Sequence, residues 1–179
     1  TDDGKCMIGA STYSVDAPAS LLGQDVYFYV GGDGTVFGDL RATDSNYVKT
    51  SYAGGTTSYG TDYDASGVEY SSNYGSLSSS APTANVGDKT VYIDSDGDEH
   101  YDIIVVTNYY YGEATMPEFS SGDKIDVDGM FCDMLVEDVT GAASIDSGDM
   151  VLGYMYPDSD IYVVAQAIPT TMLYGGIKA

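Results

Sequence analysis

Positive charge is scarce in this 179-residue sequence, where six Lys and Arg side chains stand against 28 Asp and Glu. The resulting formal charge of −22 repels the phosphates of nucleic acids and the headgroups of anionic membranes. The sequence therefore predicts neither of these partners, and leaves polycations, divalent metal ions and water. Self-repulsion of this size also opposes a compact fold, so bound metal ions would have a structural role.

Histidine and cysteine are nearly absent. The single histidine, His100, lies in an acidic stretch, and the chain has no Gly-x-Ser-x-Gly motif to present a serine nucleophile. Cys6 and Cys132 are not spaced as a metal-binding or redox pair. They could form one long-range disulfide in an oxidising compartment, or they could be two unrelated thiols. We therefore predict a protein that is not an enzyme, and the state of its cysteines stays open.

Long apolar runs and helical patterns are missing as well. The sequence has no run of 18 apolar residues, the length that a membrane-spanning helix needs. No window of a dozen residues has apolar residues spaced near the helical period of 3.6. The best candidate for a helical turn is the short segment 17–22. Gly, Tyr, Ser, Thr, Val and Asp dominate instead. This composition predicts an all-β fold with little or no helix, in which repeated hairpins form one or two small barrels or sandwiches.

The sequence does contain a repeated pattern of strand, acidic or Gly-rich turn, and strand. Three such units cover residues 23–37, 87–106 and 148–165, each with Gly and Asp at its start, and a weaker fourth start lies at 122–129. These units predict β-hairpins.

A Gly-, Ser-, Thr- and Tyr-rich segment, residues 51–82, separates the first two units. We interpret it as a long β-excursion or as an arm packed on a neighbour. Pro82 and the small residues around it predict a boundary between an N-terminal module, 1–82, and a C-terminal module, 83–179.

The densest group of carboxylates lies inside the second unit, where Asp94, Asp96, Asp98 and Asp102 follow an apolar strand. Their spacing on a turn between two such strands lets several carboxylate oxygens point at one centre, which suits a hard cation such as Ca²⁺. Asp and Gly are also the residues that turns select, so an acidic hairpin that binds nothing is the alternative. The spacing favours a calcium site at this turn.

The same stretch resembles part of a known family. Residues 85–107 are similar to a segment of the β-rich modules in S-layer-type surface proteins of Firmicutes, and residues 13–36 and 145–152 are similar to other segments of those modules. The resemblance implies a secreted structural protein of the bacterial cell surface. Its role would be that of a calcium-stabilised subunit in a self-assembling layer or filament, with copies of itself as partners.

The acidic turn also resembles the calcium hairpins of integrin-type repeats. That resemblance implies five ligands from the turn, namely Asp94, Asp96, Asp98, the main-chain carbonyl of His100, and Asp102. Glu99 stands where the pattern has Gly. It must therefore accept the backbone conformation that Gly usually provides.

The 18 tyrosines leave a second function open. Alternating Tyr side chains commonly cover the half-exposed face of a strand, but Tyr also binds sugars and proteins through its amphipathic ring. The run 109–111 cannot direct all three rings into one core, so at least one ring should be exposed. The alternative is therefore an extracellular adhesion module that binds cell-surface polysaccharide or another ligand.

Overall fold

The computed structural model describes residues 5–15, 17–56, 66–118, 124–136, 145–157 and 161–168, and the fold is given for these ranges. The strands are β1 (Cys6–Ile8), β2 (Ser11–Tyr13), β3 (Val26–Val30), β4 (Val36–Ala42), β5 (Tyr47–Ser51), β6 (Glu69–Ser72), β7 (Lys89–Asp94), β8 (Ile103–Thr107), β9 (Tyr110–Glu118), β10 (Lys124–Val127), β11 (Met130–Val136), β12 (Met150–Met155) and β13 (Ile161–Ile168). A 3₁₀ turn at Ala19–Leu21 lies in the segment predicted as a helical turn. No described segment is α-helical, so the predicted all-β fold is confirmed. In these ranges no helix has the length and apolarity needed to cross a membrane.

The described strands form three open sheets and one closed barrel. β1 pairs with β2, and β3 pairs with β4, as two antiparallel ribbons. A four-stranded sheet has the order β5-β7-β8-β6, and the barrel closes in the order β10-β11-β13-β12-β9. The predicted small barrel is therefore present, and its closure leaves its strands without a free edge.

All three predicted hairpins form. β3 and β4 flank a turn in which the Gly31 N–H donates to the Thr35 carbonyl over 2.8 Å. β7 and β8 pair in antiparallel fashion around the Asp-rich loop, and β12 and β13 pair in the same way. The weaker fourth start leads into a further hairpin of β10 and β11, joined by Asp128 and Gly129 with φ angles of +50° and +87°. Two positive φ angles suit the twist of a tight hairpin.

The four-stranded sheet combines strands from both sides of the predicted module boundary. β5 and β6 precede Pro82, whereas β7 and β8 follow it. The division between modules 1–82 and 83–179 therefore runs through one sheet instead of separating two folded units. The physical reason is that buried strands need partners for their main-chain groups along both edges, and segments before residue 82 supply them here.

Part of the Tyr- and Ser-rich segment 51–82 is a β-excursion. Its strand β6 pairs with β8 in parallel, and Tyr70 forms a further antiparallel bridge with Ser78. Residues 57–65 lie outside the described ranges. The segment thus contributes the outer strand of the sheet that holds the Asp-rich loop.

Two apolar cores stabilise these short strands. The barrel encloses Ala114, Ile125, Val127, Cys132, Ile145, Val151, Tyr162 and Val164. One face of the four-stranded sheet buries Val68, Tyr92, Tyr101, Ile104 and Val106. Burial of one large apolar side chain contributes about 1.5–3 kcal/mol, so these contacts outweigh the weak local preferences of strands only four to nine residues long.

The Gly-Asp starts of the second and third units share one turn geometry. In the first turn the Asp88 N–H donates to the Asn85 carbonyl over 3.1 Å, and the Asn85 N–H donates to Asp88 Oδ2 over 2.8 Å. In the second turn, Asp149 and Asp146 form the same two hydrogen bonds over 3.0 and 2.9 Å. The intervening glycine has a φ of +102° in one turn and +97° in the other. The sequence repeat therefore marks a repeated turn that leads into a strand.

Asp88 also connects the sheet to the chain that enters the barrel. The Asn108 amide and the Tyr109 N–H donate to its carboxylate over 2.9 and 3.1 Å, just before β9 begins. Burial alone would raise the pKa of Asp88, but the hydrogen bonds from Asn85, Asn108 and Tyr109 outweigh it and hold the pKa below its ordinary value.

Tyrosine rings pack where the sheet meets the barrel. The ring of Tyr154, almost fully buried on β12, lies 5.8 Å from the ring of Tyr74 and 6.2 Å from that of Tyr109. Tyr110 and Tyr111 follow Tyr109 in the sequence and are 41% and 49% exposed, which confirms that at least one ring of this run is exposed. The same run therefore serves both a buried contact and the surface.

Cys6 and Cys132 do not form a disulfide. Cys6 is partly buried on β1, where burial raises the pKa of its thiol, and Cys132 lies in the barrel core. Of the two alternatives that the sequence leaves open, the structure has two unrelated thiols.

Candidate metal centre

The Asp-rich loop connects two central strands of the four-stranded sheet. Asp94 is the last residue of β7 and its side chain is fully buried, whereas Asp96 and Asp102 lie on the exposed loop. The Asp102 N–H donates to the Ile93 carbonyl over 2.9 Å, which closes the base of the loop next to the Ile93–Ile103 strand pair. Two rigid strands therefore hold both ends of the loop.

The loop folds around the carboxylate of Asp94. Its Oδ1 accepts the Gly97 N–H over 2.6 Å and its Oδ2 accepts the Glu99 N–H over 3.2 Å. These bonds satisfy two main-chain N–H groups of the loop that have no partner on a neighbouring strand. Asp94 thus fixes the loop from inside while one of its oxygens faces the other acids.

Asp102 is held by one residue of the same loop. Its Oδ2 accepts both the Ser95 N–H, over 2.8 Å, and the Ser95 hydroxyl, over 2.7 Å. Sequence reasoning did not identify Ser95, because its two bonds span seven residues and the local Asp and Ser turn patterns reach only two to four.

Ser45, from the turn before β5, also contacts the loop. Its hydroxyl donates to the Ser95 carbonyl over 3.4 Å, across 50 residues of sequence. No local signal in the sequence could have found this contact, because it depends on the pairing of β5 with β7.

Asp94, Asp96 and Asp102 bring one carboxylate oxygen each into a group whose members all lie within 4.8 Å of one another. Calcium–oxygen bonds measure about 2.3–2.6 Å, so oxygens at opposite sides of one cation are about 5 Å apart. The three carboxylates could therefore hold a metal ion. Side chains with oxygen donors alone favour hard cations over zinc, which prefers nitrogen and sulfur ligands.

The other two predicted ligands lie outside this group. Asp98 Oδ1 accepts the His100 N–H over 2.9 Å, and the Asp98 N–H donates to Asp96 Oδ1 over 3.2 Å. Asp98 and His100 therefore shape the exposed side of the loop in this geometry. A role for the Asp98 carboxylate or the His100 carbonyl as a ligand stays a prediction.

Two other acidic turns contrast with this loop. Asp33 accepts the Thr35 N–H over 3.0 Å, and this bond lowers the pKa of Asp33. Asp128 accepts the Glu113 N–H over 3.0 Å and the Tyr110 hydroxyl over 2.8 Å, and these bonds lower the pKa of Asp128. Each of these carboxylates is stabilised by turn and hydroxyl donors, whereas the 94–102 loop gathers three carboxylates at one point.

Glu99 adopts the conformation that its position requires. Its φ angle is +69°, in the left-handed region that Gly occupies without strain, and Gly97 nearby has a φ of +79°. A side chain with a Cβ costs about 1–2 kcal/mol in this region. The departure from the integrin-type pattern therefore stores backbone strain in the loop.

Replacing Glu99 with Gly should raise the free energy of unfolding by about 0.5–1 kcal/mol, because relief of the strain exceeds the entropy lost by Gly. Urea denaturation measures the change. The matched control is Glu99→Ala, which removes the same charge but keeps the Cβ and should give no comparable gain. If Gly and Ala raise the free energy of unfolding equally, the cause is the lost charge and not relief of backbone strain.

Comparison with known proteins gives no matching family model, no matching curated protein and no matching solved structure. The chemistry of the loop and of the surface is therefore what indicates the function.

Proposed function

We propose that this chain is a non-enzymatic structural protein of the bacterial cell surface. In this proposal it is secreted and forms a calcium-stabilised subunit of a layer or filament built from copies of itself. The observation that carries the proposal is the cluster of three carboxylates, from Asp94, Asp96 and Asp102, in a protein with a formal charge of −22.

Calcium is the cation that suits this loop. Three carboxylates at close range repel one another unless a cation lies between them. Ca²⁺ accepts six to eight oxygen ligands in flexible geometry, so carbonyls of the loop and water can complete its shell. Mg²⁺ demands a smaller and near-octahedral shell. A calcium-rich medium outside the cell would also screen the remaining negative charge.

Assembly would use the edges and faces of the β-sheets. β5 and β6 are the outer strands of the four-stranded sheet. Tyr70 on β6 already pairs with Ser78, so β5 is the outer strand whose main-chain groups can pair with another chain. Several large aromatic side chains are exposed, most of them tyrosines. A subunit with both features has the means to bind copies of itself.

Calcium should stabilise the folded chain measurably. At a Ca²⁺ concentration 100 times the dissociation constant, binding adds about 2.7 kcal/mol, or roughly 5–10 °C in the thermal midpoint of a chain this long. Asp96→Asn should remove most of that rise while it keeps the acceptor for the Asp98 N–H. Thermal unfolding followed by circular dichroism in Ca²⁺ and in chelator measures both quantities.

The matched control is Asp33→Asn, which removes one carboxylate from a turn outside the loop and preserves the bond to Thr35. It should leave the calcium response unchanged. Equal midpoints in Ca²⁺ and chelator would contradict the calcium site, and an equal loss in the control would assign the response to general screening. Asp98→Asn tests the fourth predicted carboxylate in the same assay.

Assembly has its own test. Electron microscopy and light scattering of the purified chain, with and without Ca²⁺, should detect polymers that grow with protein concentration. A chain that stays monomeric at all concentrations in Ca²⁺ would contradict the proposed function, even if calcium raises its thermal midpoint.

A further inference from the structure

The ribbon of β3 and β4 presents an exposed aromatic face. Tyr29 is 74% exposed, Phe37 56% and Tyr27 50%. Tyr27 and Tyr29 are two residues apart on β3 and therefore point to the same side. Phe37 and Arg41 are the cross-strand partners of Tyr29 and Tyr27, one on each side of an irregularity in the strand pairing, so they share that side. We call these four residues the ribbon face.

The opposite side of the ribbon is packed. Phe28 lies edge-on to Tyr13 with ring centroids 5.0 Å apart, and Leu40 is only 8% exposed. At the base of the ribbon, the Asp25 N–H donates to the Asn46 side chain over 2.8 Å, and the Asn46 amide donates back to the Asp25 carbonyl over 2.9 Å. The ribbon face is therefore held in place from behind.

Arg41 gives the ribbon face a positive charge, opposite to that of the whole chain, although an exposed acid, Asp39, lies two residues before it on β4. It is the single arginine among six basic residues and it is exposed. In the described part of the chain, no carboxylate forms an ion pair with Arg41, although the sequence has 28 acids. Arg binds carboxylates through its planar fork of donors, and Arg and Tyr are enriched where protein contacts are strongest. This face therefore complements an acidic partner.

We propose that the ribbon face binds an acidic surface of a second copy of this chain, an inference that rests on the proposed assembly. A second copy supplies carboxylates for Arg41 at high density, since acids outnumber basic residues 28 to 6. A neutral polysaccharide offers no charge for Arg41. The contact joins two different surfaces, and contacts of that kind form open filaments or rings rather than closed two-fold dimers.

The size of the face fits the centre of such a contact. An aromatic side chain buries about 150–250 Å², so three rings that are half to three-quarters exposed offer on the order of 400 Å². A standard interface buries about 800 Å² on each partner. The rings would thus provide about half of one side, with polar surface around them.

The test uses the whole chain in Ca²⁺ and measures association by sedimentation velocity. The double variant Tyr29→Ser with Phe37→Ser and the single variant Arg41→Glu should each weaken association at least tenfold, whereas Arg41→Lys should keep part of it. The control Tyr111→Ser removes a ring of similar exposure from the barrel and should change association less than twofold. Unchanged far-ultraviolet circular dichroism establishes that each variant folds. If the double variant does not fold, Arg41→Glu, a single change at an exposed residue, still tests the inference.

The outcomes separate this inference from the function on which it rests. If the wild-type chain assembles and the ribbon-face variants assemble equally well, the ribbon face is not the contact and the proposed function stands. If the wild-type chain never assembles, both fail. If it stays monomeric but binds polysaccharide, and the same variants lose that binding, the face is a sugar-binding surface and the inference is overturned.

Discussion

Replacing Asp88 with Ala is expected to lower the free energy of unfolding by about 3–4 kcal/mol, because the change leaves buried hydrogen-bond donors without an acceptor. The side chain is only 7% exposed. Its carboxylate accepts the main-chain N–H groups of Asn85 and Tyr109 and the amides of Asn85 and Asn108. These bonds join the turn before β7 to the chain entering β9, so their loss should loosen sheet and barrel together.

The contribution of Asp88 should depend on pH with a defined sign. Its pKa is lower in the folded state than the ordinary value of 3.8, because the hydrogen bonds outweigh the effect of burial. The stabilisation is therefore complete above that ordinary value and is lost as the pH falls through the folded pKa. The difference between wild type and Asp88→Asn should accordingly shrink under strongly acidic conditions.

Urea denaturation at neutral and at strongly acidic pH measures both effects. At neutral pH the loss for Asp88→Ala corresponds to about 6–16 °C in the thermal midpoint of a chain this long. Asp44→Asn, which removes a carboxylate from an exposed turn, serves as the control and should be nearly neutral. A loss for Asp88→Ala no larger than for this control would show that the hydrogen bonds contribute little.

Replacing Gly153 with Ala should destabilise the barrel by at least about 3 kcal/mol, because β12 and β13 have no room for a Cβ there. A Cβ on Gly153 would lie 2.2 Å from the Val163 carbonyl oxygen and 2.7 Å from two atoms of the Tyr162 ring. Tyr162 is fully buried, and its hydroxyl donates to the Tyr110 carbonyl over 2.9 Å, so the ring cannot move aside. The strands themselves would have to separate.

Gly32→Ala provides the matched comparison. An added Cβ at Gly32, in the turn between β3 and β4, meets no atom within 4 Å, and the backbone there is not in the left-handed region. The free energy of unfolding of this variant should lie within about 1 kcal/mol of the wild-type value, since Ala restricts the unfolded chain only slightly. Similar thermal midpoints for the two variants would contradict the tight packing at Gly153.

Local features of the protein could be predicted from the sequence. Alternation of apolar and tyrosine side chains, interrupted by Gly and Asp, predicted the β3–β4, β7–β8 and β12–β13 hairpins, because strand period and turn chemistry depend on neighbours in sequence. The same reasoning identified the acidic loop, and the resemblance to integrin-type calcium hairpins indicated the unusual backbone conformation of Glu99.

The tertiary structure decided what lies together across long stretches of sequence. Because β6 pairs in parallel with β8, the module boundary expected at residue 82 lies between strands of one sheet. No sequence period encodes such a pairing, because it depends on which distant edge is free. The barrel closes for a similar reason, through the parallel pairing of β11 with β13.

The candidate metal centre depends on both levels. The sequence by itself determined that carboxylates crowd one turn between two apolar strands. The fold decided that Asp94, at the buried end of β7, shares a point with Asp96 and Asp102, while Asp98 turns its oxygen to the His100 N–H. Spacing in a sequence fixes which residues are near one another, but the direction of each carboxylate follows from the main-chain donors that the folded loop offers.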